Sequence, residues 1–178
     1  MFCDVEEKIA KKNKLLFNKK SKSLRILVET MDEIDHRSLI LWAFDCSRHT
    51  LDKFEKKYPN EKRPRNCYEK SLEWSYGNIK MPEAKKAILE CHRVAKEIND
   101  PVYSAYCHGI AQACSTVHVK EHAFGLVIYE LTAMVLENGR EKYENQVTEQ
   151  IKHYLNRLLF FRDNKIDSNR KWAKFLMK

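Results

Sequence analysis

Glycine and proline are scarce in this sequence, with four of each among 178 residues. That scarcity excludes a collagen-like or low-complexity chain, since both need far more of these two residues. No stretch reaches the roughly 18 uninterrupted apolar residues of a membrane-spanning helix. The chain is instead 43% hydrophobic, with three tryptophans, eight tyrosines and eight phenylalanines. This composition indicates one compact globular domain that can bury its own core.

The sequence also lacks the marks of export and of a disulfide framework. Its start, MFCDVEEKIAKK, places acids where a signal peptide is basic and then apolar. The six cysteines, at positions 3, 46, 67, 91, 107 and 114, never form a CxxC pair. We therefore predict small buried thiols in a cytoplasmic protein that does not enter a membrane.

The net charge of +8 is concentrated at the two ends of the chain. Residues 1–25 carry eight Lys or Arg against three acids, and residues 162–178 carry six against two, so the rest has a net charge of −1. A nucleic-acid-binding fold usually gathers basic residues on one face of its body, so this distribution argues against a nucleic-acid partner. The charge pattern predicts a basic N-terminal helix or extension at 1–25, a helical bundle at 26–162, and a basic C-terminal helix or tail at 163–178, with solvated ends.

Helical patterns and turn signals cover nearly the whole chain, and strand alternation is hard to find. Proline suits the first turn of a helix at Pro64, Pro82 and Pro101, and glycine suits a helix end at Gly77 and Gly139. We predict an all-α single-domain bundle of seven or eight antiparallel helices. The expected helices lie near 4–18, 34–57, 64–76, 82–98, 101–117, 120–137, 141–162 and 168–177.

Two of these helices, at 101–117 and 120–137, are apolar almost all the way round, as helices enclosed by others would be. Small residues such as Ala105, Gly109 and Gly125 would let them approach closely. We expect them to form a central hairpin, with the histidines of STVHVKEHAFG at its turn. Four residues are predicted to lie in the core: Trp42, Trp74, Phe124 and Leu131.

The segments 41–77 and 105–130 together resemble a family of immunity proteins encoded beside bacterial polymorphic toxins. The resemblance covers residues 36–136 and rests on these elements, in this order and spacing: Trp42, Asp45, Cys46, Leu51, Phe54, Arg63, Pro64, Arg65, Trp74, His118 and His122. It implies an all-helical, non-catalytic protein that binds and neutralises a cognate toxin, without a cofactor.

His118 and His122 have two interpretations. Imidazoles four residues apart share a helix face and could hold a metal together with His108. However, zinc needs three or four ligands, and Val119 and Lys120 stand where HExxH would have its glutamate. We favour a hydrogen-bonded polar cluster close to an Asp45–Arg65 pair and the hydroxyls of Ser115 and Thr116.

Other polar residues have a structural and a functional interpretation. Asp45 beside Cys46 could suggest a nucleophile, but no local feature marks a thiolate, so we expect an ion pair and core packing. Arg63 and Arg65 could meet an acidic partner, or could fasten the 58–64 loop to Asp45 or Asp52.

An acidic stretch and the two histidines supply the remaining candidates for toxin binding. The acids could form a solvated helix start or a patch that steers a basic toxin: Glu29, Asp32, Glu33 and Asp35. A polar cleft is the other candidate: Asp45, Arg63, Arg65, His118 and His122. A helical metal- or ligand-binding protein is the alternative function, and the oligomeric state stays open.

Overall fold

A computed structural model describes residues 2–139, 142–164 and 170–177. The eight α-helices within these ranges are α1 Cys3–Ala10, α2 Arg25–Glu33, α3 His36–Lys57, α4 Arg63–Ser75, α5 Met81–Glu97, α6 Pro101–Ser115, α7 His122–Asn138 and α8 Tyr143–Asp163. Single 3-10 turns lie at Lys22–Leu24 and Lys174–Leu176, and the described residues form no strand. The predicted all-α bundle is therefore confirmed.

Local chemistry explains where several of the helices begin and end. The Asp100 carboxylate accepts hydrogen bonds from the backbone N–H groups of Val102 and Tyr103, which caps α6. Proline occupies the first turn of α4, α5 and α6. Gly77 and Gly139 have φ values of +76° and +73°, a region that glycine adopts without steric strain.

The N-terminal part of the helix prediction needs correction. The helix expected at 4–18 ends at Ala10, and α2 was not predicted at all. The acidic stretch stands at a helix start only in part. Its first three acids lie in the middle and at the end of α2, whereas Asp35 caps α3 by accepting hydrogen bonds from the Arg37 and Ser38 N–H groups. At the other end, residues 174–176 form a 3-10 turn within the predicted helix 168–177, of which residues 168 and 169 lie outside the described residues.

Helices α6 and α7 form the centre of the bundle, as the sequence predicts. Helix α6 packs on α3, α4, α5 and α7, and α7 also packs on α3 and α8. Gly109 faces the backbone of α7, where a Cβ would lie 3.6–3.7 Å from Tyr129, Glu130 and Leu126. The connection between the two helices contains His118, and His122 is the first residue of α7. The histidines thus lie at the hairpin turn.

The predicted core residues are buried, in two clusters on either side of the hairpin. Trp42, Phe124 and Leu131 belong to one cluster, and Trp74 belongs to the other. The exposed fraction is 0% for Trp42 and Leu131 and 5% for Phe124 and Trp74. This burial confirms the hydrophobic pattern that the sequence assigns to helices α3, α4 and α7.

The two ends of the chain are not solvated tails. Phe2, Val5 and Phe17 lie in the same core cluster as Trp42, although most lysines of this segment are exposed. Near the other end, Trp172 and Leu176 are buried, and the Ala173 N–H donates to the Ser75 carbonyl at 2.8 Å. The expectation of solvated ends was therefore wrong for their apolar residues, and the division of the chain at residues 25 and 162 stays a prediction.

None of the helices within the described residues is both long enough and apolar enough to cross a membrane.

Candidate functional site

Three of the histidines line one groove beside the turn of the central hairpin. The groove has a volume of about 250 Å³ and is bordered by α4, α5, α6, the α6–α7 connection and the start of α7. We call it the histidine groove, and its lining residues are Trp74, Met81, Lys85, Ile88, Leu89, His92, Ser115, His118 and His122.

His122 is held in one orientation by a glutamine on α6. Its Nδ1 lies 2.7 Å from Oε1 of Gln112. Since an amide oxygen only accepts, Nδ1 of His122 carries the proton, and Nε2 is the unprotonated nitrogen of the neutral ring. Burial, followed by the nearby charge of His118, lowers the pKa of His122, while Glu121 acts in the opposite direction. The neutral ring is therefore favoured.

Gly125 creates the space in which Gln112 lies. A Cβ at position 125 would lie 2.6 Å from Oε1 of Gln112 and 2.8 Å from its Cδ and Cγ, which is shorter than any normal contact. The glycine is thus needed for packing rather than for a positive φ. It lets the Gln112 side chain lie against α7 and reach the ring of His122.

We predict that Gly125→Ala breaks the Gln112–His122 hydrogen bond while changing the melting temperature little, because the displaced atoms belong to the end of a flexible side chain. Nitrogen-15 NMR of the imidazole should show His122 passing from a largely Nδ1-protonated ring to a mixture of tautomers. Gly109→Ala is the matched control, since a Cβ there would make ordinary contacts of 3.6 Å or more. An unchanged His122 spectrum in the Gly125 variant would contradict this role of Gln112.

His118 is exposed and lies against the indole ring of Trp74. The two ring centroids are 6.1 Å apart, with an angle of 31° between the planes. Trp74 also contacts the ring of Phe175 at 5.5 Å, so the C-terminal segment supports this wall of the groove. His118 is positioned by its backbone, whose N–H donates to the Ser115 carbonyl at 3.0 Å.

His92 is the groove histidine that the sequence analysis missed. Its Nδ1 lies 2.8 Å from Nδ1 of His108, so one of these nitrogens donates a hydrogen bond to the other. Only one of the two Nδ1 atoms can therefore carry a proton in this contact. Burial, then the charges of His108, Lys96 and His122, lower the pKa of His92 to about 4. His92 is therefore neutral at pH 7.

A repeated dipeptide was the available signal for this pair. Each of the two histidines follows a cysteine, and the Cys91 and Cys107 sulfurs lie 3.5 Å apart in the core. The two Cys-His dipeptides are 16 residues apart and face each other across α5 and α6. A single sequence does not reveal this alignment, because it depends on the position of one helix along the axis of the other.

The remaining cysteines follow the prediction of buried thiols, except that Cys3 is exposed. Burial raises the pKa of the Cys67 thiol, as do its hydrogen bonds with Cys114 and Cys91. Within the ranges that the structure describes, no three histidine, cysteine or carboxylate side chains form a group that could hold a metal ion.

The predicted grouping of the histidines with an Asp45–Arg65 pair is wrong. Asp45 accepts a hydrogen bond from Arg157 Nε at 2.6 Å, and Arg65 binds Glu55 and Asp52. Asp52 had been predicted as a partner of these arginines, whereas Asp45 belongs to the α3–α8 contact. The Ser115 and Thr116 hydroxyls donate to backbone carbonyls of α6, not to the imidazoles.

Arg63 stands apart from the histidine groove as well. Its guanidinium binds Glu61 at 2.6 Å and Glu97 at 2.7 Å, and so joins the start of α4 to the end of α5. These pairs favour the structural interpretation of the RPR sequence. Arg63 and Arg65 fasten the ends of α4, α3 and α5 together, and neither lines the groove.

The environment of Cys46 is the opposite of that of a nucleophilic thiolate. The residue is 4% exposed. Burial raises the pKa of its thiol well above the ordinary value, and the charges of Glu130 and Asp45 raise it further. The geometry therefore supports core packing for Cys46.

The acidic patch is exposed, and its role in steering a basic toxin stays a prediction. The four carboxylate residues are exposed, three on α2 and one at the cap of α3: Glu29, Asp32, Glu33 and Asp35. The hydrogen bond and charge of Asp163, followed by the charge of Glu33, raise the pKa of the Arg162 guanidinium on α8. None of the four carboxylates is buried, so each keeps its solvation.

Comparison with known protein families identifies the class. A family described as "Imm-5 like putative immunity protein" matches residues 29–157, well over half of the chain. The protein belongs to this family, as its resemblance at Trp42, Trp74 and the hairpin histidines predicts. No curated protein and no solved structure matches the chain.

Proposed function

We propose that this protein is a non-catalytic immunity protein that binds and neutralises a cognate toxin, and that the histidine groove is its contact surface. Membership of the immunity-protein family supports the first part. The observation that carries the second part is the exposure of large apolar side chains along the groove. Met81 is 42% exposed and Leu89 is 54% exposed.

The composition of the groove resembles that of a protein interface. Met81 and Leu89 provide exposed apolar area beside the largely buried ring of Trp74, and Lys85 and the histidines provide polar groups. Tryptophan and methionine are enriched at interfaces, where apolar centres surrounded by polar groups contribute most of the binding energy. Exposed apolar side chains grouped around a groove are also the usual mark of a partner-binding surface.

Co-expression with the protein encoded beside this gene tests the proposal. We expect that neighbour to be toxic to a bacterial host when expressed alone and harmless when this protein is present. Leu89→Asp should abolish protection, because it places a carboxylate in the apolar part of the contact. Loss of an interface contact worth about 2 kcal/mol weakens binding by about 30-fold.

Leu136→Asp on α7 is the matched control, since Leu136 is 47% exposed but does not line the histidine groove. It should protect as well as the wild type, and both variants should keep the wild-type melting temperature. Toxicity that persists beside the wild-type protein, or a neighbour that is harmless alone, would contradict the immunity function. Full protection by Leu89→Asp would contradict the proposal that the histidine groove is the contact surface.

A further inference from the structure

We propose that the histidine groove receives an acidic side chain of the toxin, flanked by apolar side chains. This inference rests on the proposed function, since it names the chemistry of the segment that the same groove would bind. Two features of the groove carry it: no carboxylate side chain is found among the described residues that line it, and Lys85 lies between Met81 and Leu89 on α5.

Lys85 is the one lining residue of the groove that carries a permanent charge, as far as the described residues extend. On a helix, side chains three and four residues apart are neighbours, so Lys85 lies beside Pro82, Met81, Ile88 and Leu89. None of these is acidic. Within the described part of the chain, the Lys85 ammonium group makes no ion pair and no hydrogen bond.

Three arginines on other helices already have carboxylate partners. Arg63 binds Glu61 and Glu97, Arg65 binds Glu55 and Asp52, and Arg157 binds Asp45. Their charges are thus matched within the protein. Lys85 is exposed in the free protein, but a partner that covers the apolar residues beside it would exclude water, so its pairing with a carboxylate would be screened less than on an open surface.

Two of the groove histidines add polar and apolar surface beside Lys85 without adding charge. The rings of His92 and His122 are favoured in the neutral form, so they add hydrogen-bonding groups and apolar ring faces to the groove. Ser115 has its hydroxyl bonded to the Ala111 carbonyl. The occupant that matches these surroundings has one negative charge opposite Lys85 and apolar groups opposite Met81, Leu89 and Trp74.

A charge exchange between the two proteins tests the inference. We expect Lys85→Met to weaken binding of a catalytically inactivated toxin by about tenfold, because a charge-assisted contact is lost. Lys85→Glu should weaken it by about 100-fold or more, because it sets like charges opposite each other. Changing the toxin's exposed Asp and Glu residues to Lys one at a time should then find one change that restores binding to Lys85→Glu.

Lys86→Glu is the matched control on the same helix. Lys86 is exposed and does not line the groove, and its helix neighbours Glu83 and Glu90 are acidic. We expect its effect to stay within about twofold. Equal losses in both lysine variants would mean a long-range charge effect and would overturn the inference.

Two further outcomes separate this inference from the proposed function. If Lys85→Glu protects fully while Leu89→Asp does not, the groove binds the toxin but no carboxylate, and the inference fails alone. If no charge reversal on the toxin restores binding, the inference also fails. Binding of a single-stranded oligonucleotide that requires Lys85 would show that the groove takes a phosphate chain instead.

Discussion

Replacing Glu130 with glutamine should raise the free energy of unfolding by about 3 kcal/mol above pH 7. Glu130 lies on α7 in the centre of the bundle and is 4% exposed. Burial raises the pKa of its carboxyl group from 4.5 to about 7, and the hydroxyls of Tyr154 and Thr50 offset this only in part. One pKa unit corresponds to about 1.4 kcal/mol, which gives the expected magnitude.

The direction of the pH dependence follows from which state, folded or unfolded, binds the proton of Glu130 more tightly. Below about pH 4.5 the carboxyl group is protonated in both the folded and the unfolded protein, so its burial is tolerated. As the pH rises towards 7, the unfolded protein releases this proton while the folded protein retains it, and folding becomes less favourable. The stability that the protonated Glu130 contributes to the folded state is therefore fully present at low pH and is lost as the pH rises through about 7.

Urea unfolding of the wild type and Glu130→Gln between pH 4.5 and 8.5 measures this effect. The two proteins should have nearly the same stability at pH 4.5 and differ by about 3 kcal/mol at pH 8.5. Glu149→Gln on α8 is the control, because Glu149 is exposed and its substitution should leave the pH profile unchanged. Parallel profiles for the wild type and Glu130→Gln would show that the buried carboxyl group has an ordinary pKa.

Trp42→Ala should lower the free energy of unfolding by about 3–5 kcal/mol. Trp42 is fully buried, and its ring meets that of Tyr154 edge to face at 5.6 Å. The indole Nε1–H also donates to the Tyr154 carbonyl at 3.0 Å. Substitution by alanine would leave a cavity between α3 and α8 and an unpaired carbonyl.

Trp42→Phe separates the two effects. The phenyl ring retains much of the packing but cannot donate to Tyr154, so we expect a loss smaller than that of Trp42→Ala. Leu89→Ala, on the exposed edge of the groove, should change stability by less than about 0.5 kcal/mol. Urea denaturation gives all three values, and a loss below about 1 kcal/mol for Trp42→Ala would mean that α3 is not anchored on α8 through this ring.

The sequence predicted the features that depend on local pattern. The hairpin of α6 and α7 follows from apolar residues on every side of two segments, and Asp100, Gly77 and Gly139 mark helix ends through their own backbone chemistry. Helix α2 escaped prediction because it has nine residues and shows only Leu27 and Met31 as a buried pair. So short an amphipathic segment depends on its packing for stability.

The candidate site was predicted only in part. His118 and His122 lie close in the sequence, so their meeting at the hairpin turn could be foreseen. The Asp52 partner of Arg65 could also be foreseen. The partner of Asp45, by contrast, is Arg157 on α8, and the proximity of His92 to His108 depends on the alignment of α5 with α6. Such contacts depend on packing between helices, which no spacing within one segment encodes.

The contact between α6 and α7 at Gly109 also affects how the histidine groove would meet a partner. Most groove residues belong to long helices, and the α6–α7 connection among them joins the two most enclosed helices of the bundle. A partner would therefore encounter a surface that is preorganised before contact, so that little conformational entropy is lost when the complex forms. Complexes of this kind change shape little on association, and their affinity differences arise mainly from the rate of dissociation.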